Sequence, residues 1–209
     1  MLYLYVTRHG ETEWNVQKRM QGHLDSNLTA EGLLHAELLG KRLASVEFEA
    51  VISSPSVRTM QTSEKIIGDR TLPLKKDERL KEIHLATWEG KTHDEIKAMA
   101  PNDFDNFWNN PLEFRNDPGE SFYDVKSRVE TVIKDIEKTY QSGNVLVVSH
   151  AVVIKTLLMI CKNNTLDTLW DPPFINGTSL SIIKIQNGKM DLILEGDTSH
   201  KDEVLGHAD

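Results

Sequence analysis

The sequence predicts an α/β fold: a three-layer sandwich with a mainly parallel central sheet, an antiparallel edge and a small helical cap. Short apolar runs alternate with longer helical patterns, which is typical of parallel strands joined by helices. The last two strands are joined through Asn187-Gly188, a signal for a type I′ hairpin and hence an antiparallel edge. Residues 78–110 have no regular period and carry most of the large aromatics. We therefore expect one domain over residues 1–209 with a cap excursion at about 78–118.

The elements of the first half follow from buried runs and helix boundary signals. Continuous apolar and β-branched runs predict strands at 2–6, 50–53 and 72–74. Thr29 is a suitable N-cap for a helix whose leucines recur at helical spacing, at positions 33, 34, 38, 39 and 43. Pro55 fits the first turn of a second helix that ends before Gly68. The polar stretch 15–27 predicts a loop over a candidate ligand site at the end of the first strand.

The second half repeats the alternation of helix and strand. Beyond a turn at 116–119, apolar residues at helical spacing predict a long amphipathic helix over 121–141, ended by Gly143. Residues 145–148 read as a buried strand, followed at once by a helix at 151–161. The hairpin strands are predicted at 178–185 and 190–194, and the polar tail from Ser199 is expected to be loose.

Composition and charge exclude several classes of protein. The formal net charge of −8 argues against nucleic-acid binding, which needs a basic face. The longest apolar stretches, such as 151–154, are broken by Lys155 well short of a membrane span. The single Cys161 cannot form an internal disulfide, and we expect no signal peptide before the first strand. These features favour a cytoplasmic protein that acts on a small molecule.

Charged residues stand at the tips of two predicted strands. Arg8, His9 and Gly10 directly follow the first strand, and His150 directly follows the strand at 145–148. Arginine is a permanently cationic fork for phosphate, and histidine can be a nucleophile or proton carrier near neutral pH. Open α/β sheets bind ligands at the carboxyl ends of their strands. We therefore predict a phosphate site at this edge.

The run from Arg8 to Thr12, RHGET, resembles the signature of the histidine phosphatase superfamily, which includes cofactor-dependent phosphoglycerate mutases and broad phosphatases. Further stretches follow in the family's order, at 53–55 with Arg58, at 80–82, at 87–90 and at 147–150. Together they span the chain from residue 2 to about 160. The resemblance implies the same α/β layout.

The resemblance also implies roles for the strand-tip residues. His9 would be the nucleophile that forms a phosphohistidine, while Arg8 and Arg58 would bracket the phosphoryl group. The cationic Arg8 is expected to lower the pKa of His9, which keeps the attacking nitrogen unprotonated. His150 would supply a further hydrogen-bond donor.

Glu82 is the expected general acid and, in the second step, the base that activates water. Its carboxyl would have to be partly desolvated so that it is protonated when the leaving group departs. By the same resemblance, Asn15, Gln21 and Gly22 would line the pocket. Ala151 would contribute to the substrate site where many members of the family carry glycine.

Read without the resemblance, several of these residues have other uses. Arg58 could equally be a solvated surface residue, and His150 a satisfied histidine at a strand end. Glu82 competes as the acid with Glu11, Glu13, Glu89 and Glu120, and only the family's spacing selects it. The remaining histidines are interpreted as non-catalytic: His23, His35, His84, His93, His200 and His207. The aromatics of 78–110 are expected to form mainly the cap core, with Trp108 or Phe107 as candidate contacts to the leaving group.

The stretch after Glu82 separates the branches of the family. Mutases usually continue with an Arg-His-Tyr-Gly run and a longer insertion, whereas residues 83–90 read IHLATWEG, similar to the phosphatase branch. Leu85, Ala86 and Asn27 depart from that branch's usual Phe, Gly and Pro. The prediction is a metal-independent, histidine acid-type phosphatase of small phosphorylated metabolites. A phosphoglycerate mutase and a non-catalytic phosphate-binding or interaction module are the alternatives.

No cofactor or metal is implied, because the sequence has no metal-ligand spacing and the arginines and histidines already supply positive charge. A P-loop motif is also absent, which argues against nucleotide-triphosphate chemistry. The expected partners are a small-molecule phosphomonoester and inorganic phosphate as product, with no nucleic acid and no membrane. A homodimer is compatible with the sequence, although no residue demands one.

Overall fold

A computed structural model describes residues 1–204 of the chain. Within these residues, six strands form one sheet: β1 Leu2–Arg8, β2 Ala50–Ser53, β3 Leu74–Lys76, β4 Gly143–Ser149, β5 Leu180–Gln186 and β6 Lys189–Asp197. The order across the sheet is β3-β2-β4-β1-β5-β6. The first four of these strands are parallel and the β5–β6 edge is antiparallel, which confirms the predicted fold class.

Helices cover both faces of the sheet. The α-helices are α1 Glu13–Val16, α2 Ala30–Arg42, α3 Val57–Ile67, α4 His93–Met99, α5 Pro101–Asn109, α6 Phe122–Thr139 and α7 Ala151–Cys161. Helices α2 and α3 pack on one face, where Leu39 and Ile66 meet Val51 and Leu146 of the sheet. Helices α6 and α7 pack on the other face in a larger cluster. The arrangement has three layers.

Two predictions about the first helices needed correction. Thr29 is the N-cap of α2, as predicted, and its side chain accepts from the N–H of Gly32 at 3.0 Å. Leu34, however, is 40% exposed, because it lies two residues from the buried Ala36 and therefore about 200° round the helix axis. Pro55 lies before the N-cap Ser56, and so α3 begins only at Val57.

The bounds of the third and fourth strands also differ from the prediction. Strand β3 is Leu74–Lys76 rather than 72–74, because its position is set by the parallel ladder that pairs Val51 with Leu74 and Ser53 with Lys76. Helix α6 ends at Thr139, and Gly143 opens β4 instead of ending the helix. Helix α7 has the predicted bounds of 151–161.

The predicted hairpin is confirmed, whereas the prediction of a loose tail is wrong for residues 199–204. Asn187 and Gly188 both have positive φ, of 53° and 75°, as a type I′ turn requires. The tail forms a 3₁₀ helix, Ser199–Val204, that packs on α2 and leaves His200 only 2% exposed. Arg42 of α2 pairs with Asp197, the last residue of β6, just before this helix. His207 lies outside the described residues.

The region of the predicted cap holds two 3₁₀ helices, Glu78–Leu80 and Ala86–Trp88, followed by α4 and α5. Trp88 and Phe107 are buried and contact Phe114 and Phe122, so these aromatics do form core. In the described part of the chain, no helix is long and apolar enough to cross a membrane.

Candidate active site

A cavity of about 300 Å³ opens at the carboxyl ends of the parallel strands, beside the cap. Eight of the nine predicted site residues line it: Arg8, His9, Asn15, Gln21, Gly22, Arg58, Glu82 and Ala151. The ninth, His150, is fully buried behind the wall, with its ring centroid 5.3 Å from that of His9. The sequence motifs therefore converge on one place.

His9 lies at the end of β1, and the surrounding backbone holds it firmly. Its N–H donates to the carbonyl of Ser149 on β4 at 3.0 Å, while the N–H of Gly10 donates to Thr62 Oγ1 at 2.9 Å. His9 Nδ1 is 2.7 Å from the carbonyl oxygen of Gly10. Because a carbonyl only accepts, Nδ1 carries the proton and Nε2 keeps a free lone pair.

The neighbourhood of His9 keeps the imidazole neutral. Burial, and then the positive charges of Arg58 and Arg8, lower the pKa of His9 well below its usual value. The predicted influence of Arg8 is confirmed, although burial is the largest cause and Arg58 precedes Arg8. A neutral imidazole is the form that can act as a nucleophile.

Arg8 and Arg58 reach the cavity from different elements. Arg8 Nη1 donates to the carbonyl of Ile175 at 2.8 Å, and its buried Nε has no partner in residues 1–204. Arg58, on α3, is fully buried, which excludes the alternative of a solvated surface residue. Its Nη1 donates to Asp25 Oδ1 at 2.6 Å, and its Nη2 to the carbonyl of Gly22 at 2.9 Å. Asp25 thus offsets part of the cost of burying this charge.

His150 contacts the site through Arg58. Its Nδ1 accepts from Arg58 Nη2 at 3.1 Å, and its Nε2 then donates to Ser54 Oγ at 2.8 Å. Burial, followed by Arg58 and His9, lowers the pKa of His150 well below its usual value. Both ring nitrogens are therefore engaged with protein groups, and the contacts seen for His150 orient Arg58 rather than face the cavity.

Glu82 is the one glutamate of the five candidates that lines the cavity in the described structure. Its side chain is half-buried, and its Oε2 accepts from the N–H of Val152 in the first turn of α7 at 3.3 Å. The other candidates are occupied elsewhere or exposed. Glu120 pairs with Arg128, and Glu89 accepts from backbone N–H groups.

Asn15 and Gln21 are held by Thr12. The predicted loop 15–27 is preceded by the short helix α1, which overlaps its first residues. Thr12 caps this helix, accepting from the N–H of Asn15 at 3.2 Å, and also accepts from Gln21 Nε2 at 3.0 Å. A short capped helix therefore positions both amide side chains on the cavity wall.

Several wall residues escaped the sequence-based reasoning. Lys155 on α7 lines the cavity, as do Trp170, Pro173, Phe174 and Ile175. Lys155 had a detectable signal, since it is the one charge within an apolar helix. The segment 170–175 had none, because it has no periodicity and lies far along the chain from every motif. Of the cap aromatics, Phe107 and Trp108 both line the cavity, and their contact with the leaving group stays a prediction.

The sequence profile of the histidine phosphatase superfamily (branch 1) matches residues 4–198. The chain therefore belongs to this superfamily, and the resemblance seen in its motifs is confirmed.

Curated relatives carry both phosphatase and mutase names. Phosphoserine phosphatase 1 of Hydrogenobacter thermophilus is 30% identical over 208 residues, which cover 100% of this chain and 98% of that protein. The Escherichia coli O1:K1 protein named "Probable phosphoglycerate mutase GpmB" is 31% identical over 158 residues, or 76% of this chain and 74% of that protein.

Solved structures share the whole fold. Bacillus stearothermophilus YhfR superimposes with a TM-score of 0.94 at 47% identity, covering 96% of this chain and 100% of that one. A phosphoserine phosphatase mutant from Entamoeba histolytica, solved in complex with phosphoserine, gives a TM-score of 0.84 at 26% identity. That match covers 96% of this chain and 99% of the other. Relatives of the chain thus bind phosphorylated small molecules.

Proposed function

We propose that this protein hydrolyses phosphomonoesters of small metabolites through a phosphohistidine formed on His9. The observation that carries the proposal is the state of this side chain. Its Nδ1 donates to the Gly10 carbonyl, and burial lowers its pKa. A neutral Nε2 is thereby left available beside two guanidinium groups, which is the combination that attack on a phosphoryl group needs.

The first step transfers the phosphoryl group to the protein. Arg8 and Arg58 neutralise the non-bridging oxygens, and His9 Nε2 attacks phosphorus as the bond to the ester oxygen breaks. The protonated Glu82 gives its proton to that oxygen, and the alcohol departs. Phosphohistidine and the Glu82 carboxylate remain.

The second step returns the protein to its starting state. The Glu82 carboxylate takes a proton from water, and the water oxygen attacks the phosphorus of phosphohistidine. The P–N bond breaks, His9 Nε2 regains its lone pair and inorganic phosphate leaves. His150 assists by orienting Arg58.

A mutase is the second candidate, because relatives named phosphoglycerate mutase GpmB match 76% of the chain. A mutase must keep water away while the phosphohistidine waits for its acceptor. The pattern after Glu82 favours the phosphatase, as does the phosphoserine phosphatase relative that matches the full chain.

The test is turnover of p-nitrophenyl phosphate at mildly acidic pH with EDTA present, for the wild type, His9→Ala and His35→Ala. We expect the wild type to be active, and His9→Ala to lose at least about 10³-fold in kcat, because it lacks the nucleophile. His35→Ala, a histidine of α2 outside the cavity, should keep full activity.

Two results would contradict the proposal. Turnover that persists in His9→Ala would exclude a phosphohistidine on this residue. A wild type that is inactive on esters, but interconverts phosphoglycerates when primed with a bisphosphoglycerate, would identify the mutase instead.

A further inference from the structure

Lys155 is a buried charge that the proposed reaction does not use. It is the one charged residue of α7, where nine of eleven residues are buried, and is itself 8% exposed. Burying an ammonium is unfavourable unless other groups compensate for the water it loses. Within residues 1–204, no carboxylate lies at ion-pair distance from Lys155 Nζ. The compensation must therefore come from other groups.

Those groups are backbone carbonyls of the segment 170–175. Lys155 Nζ donates to the carbonyl of Asp171 and, at 3.4 Å, to that of Pro173. Arg8 Nη1 donates to the carbonyl of Ile175 at 2.8 Å. In the described structure none of these three carbonyls accepts from a backbone N–H. These three carbonyls thus lack the usual backbone donors, and two cationic side chains take their place.

The segment 170–175 also contacts the cap, through its first residue, Trp170. Trp170 Nε1 donates to the carbonyl of Phe107 at 2.5 Å, and the Trp170 ring packs on Trp108 with a centroid distance of 4.8 Å. Trp170, Phe174 and their neighbours line the cavity, although the Phe174 side chain is 79% exposed. The segment 170–175 therefore forms a wall that joins the cap to the end of the sheet.

We propose that Lys155 is a positioning residue that fixes the segment 170–175 as the leaving-group wall of the cavity. It thereby determines how the protein discriminates between phosphomonoesters with small and large leaving groups. The inference rests on the phosphomonoester function proposed above. Arg8 secures the segment at Ile175, next to the phosphoryl site, and Lys155 secures it farther out, at Asp171 and Pro173. An ester with a small leaving group contacts only the part of the segment that Arg8 holds. An ester with a large leaving group also contacts the part that Lys155 holds.

The test measures binding of two unreactive phosphonates by calorimetry, to the wild type and to Lys155→Met, which keeps the length of the side chain and removes its donors. Affinity for 1-naphthylmethylphosphonate should fall about tenfold, because a wall that must be ordered on binding costs conformational entropy. Affinity for methylphosphonate should stay within about twofold of the wild type. The matched control is Lys162→Met, which removes an exposed lysine paired with Glu195 beyond the end of the same helix. It should bind both compounds like the wild type.

The selective loss is the readout that a merely structural role would not give. Equal losses for the two phosphonates, or no loss for the naphthyl compound, would overturn the inference. If Lys155→Met does not fold, Trp170→Phe loosens the other end of the segment by removing the hydrogen bond to Phe107, and the same selective loss is expected. An unselective result with that variant would also overturn the inference.

Binding separates this inference from the proposed function. A wild type that binds both phosphonates but hydrolyses no ester contradicts the hydrolysis alone, and the selective loss in Lys155→Met would still support the positioning role. A wild type that hydrolyses esters but binds neither phosphonate contradicts the positioning role alone.

Discussion

At the scale of single residues, the groups that would bind the phosphoryl group also keep the proposed nucleophile, His9, neutral. Burial is the largest cause of the lowered pKa of His9, and Arg58 and Arg8 lower it further because a positive charge beside them is unfavourable. In the proposed reaction, a bound phosphomonoester dianion would offset the charges of Arg8 and Arg58, and neutral His9 would face a phosphorus whose oxygens are paired with these cations. The Gly10 carbonyl contributes by selecting the tautomer.

Gly10→Ala should displace the neighbouring His9. A Cβ at residue 10 would lie 2.5 Å from the carbonyl oxygen of Gly32, which is backbone of α2 and cannot move aside. The turn would have to shift and carry His9 with it. We expect kcat to fall about 10²-fold through misalignment, and the free energy of unfolding to fall by about 1–3 kcal/mol. Steady-state kinetics and urea unfolding measure the two effects.

The control for this substitution is Gly68→Ala. Gly68 has a positive φ of 56°, and no atom lies within 4 Å of the position that a Cβ would take there, so alanine meets backbone strain without a clash. It should lose about 1–3 kcal/mol of stability and keep its kcat. Similar kcat values for the two variants would show that the contact of Gly10 with α2 does not position His9.

At the scale of elements, the site depends on a helix too short to be stable alone. Helix α1 has four residues, and an isolated helix of that length does not form in water. Thr12 stabilises it by capping, since its Oγ1 accepts from the N–H of Asn15 and its own N–H donates to Asn15 Oδ1. The bond from Gln21 adds the next stretch of chain to the same hydroxyl.

Thr12→Ala is therefore expected to raise KM several-fold, because Asn15 and Gln21 lose their common partner. The cap itself should cost about 1 kcal/mol of stability. Ser121→Ala removes an equivalent capping box from α6, at a residue that does not line the cavity. It should lose similar stability with KM unchanged. A Ser121→Ala protein with the same rise in KM would mean that the effect of Thr12→Ala reflects general loosening.

Elements with strong local signals could be predicted from the sequence, and those that depend on distant partners could not. Helix α7 and the hairpin carry their own periodicity and turn residues. Strand β3 ends in two lysines and is defined only by its ladder with β2. The 3₁₀ helix Ser199–Val204 has a polar sequence, and contact with α2 is what orders it.

The same reasoning applies to the site. The motifs led to His9, Arg58 and Glu82, and the structure brings these to one cavity. The engagement of both nitrogens of His150 could not be foreseen, because it depends on the rotamers of Arg58 and Ser54.

At the scale of the whole molecule, a chain with a net charge of −8 carries its site as a local region of positive charge. Half-buried Arg8 and fully buried Arg58 supply that charge, and the buried histidines His9 and His150 stay neutral near them. His200, in the C-terminal 3₁₀ helix, is a third buried imidazole. Its Nε2 lies 3.2 Å from Thr178 Oγ1, which in turn donates to the Gly177 carbonyl.

These three histidines make stability depend on pH with a definite sign. Burial lowers the pKa of His9 and His150 well below the usual value, and that of His200 to about 4. An unfolded histidine titrates near 6.5, so at lower pH the unfolded chain binds more protons than the folded one. The contribution of these neutral histidines to the free energy of unfolding is fully present above a pH of about 6.5. It is lost as the pH falls towards their pKa values in the folded protein.

His200→Asn should flatten this dependence without touching the cavity. An asparagine amide has no proton to gain, and so the loss of stability between pH 7 and pH 5 should shrink by roughly 2 kcal/mol. The charged and titratable groups around this position are Lys201, Arg42, His35 and Asp197. Urea unfolding at pH 7, 6 and 5 measures the effect, with His35→Asn as a more exposed control that should flatten it less. Parallel pH profiles for the wild type and His200→Asn would show that this histidine is not kept neutral by the fold.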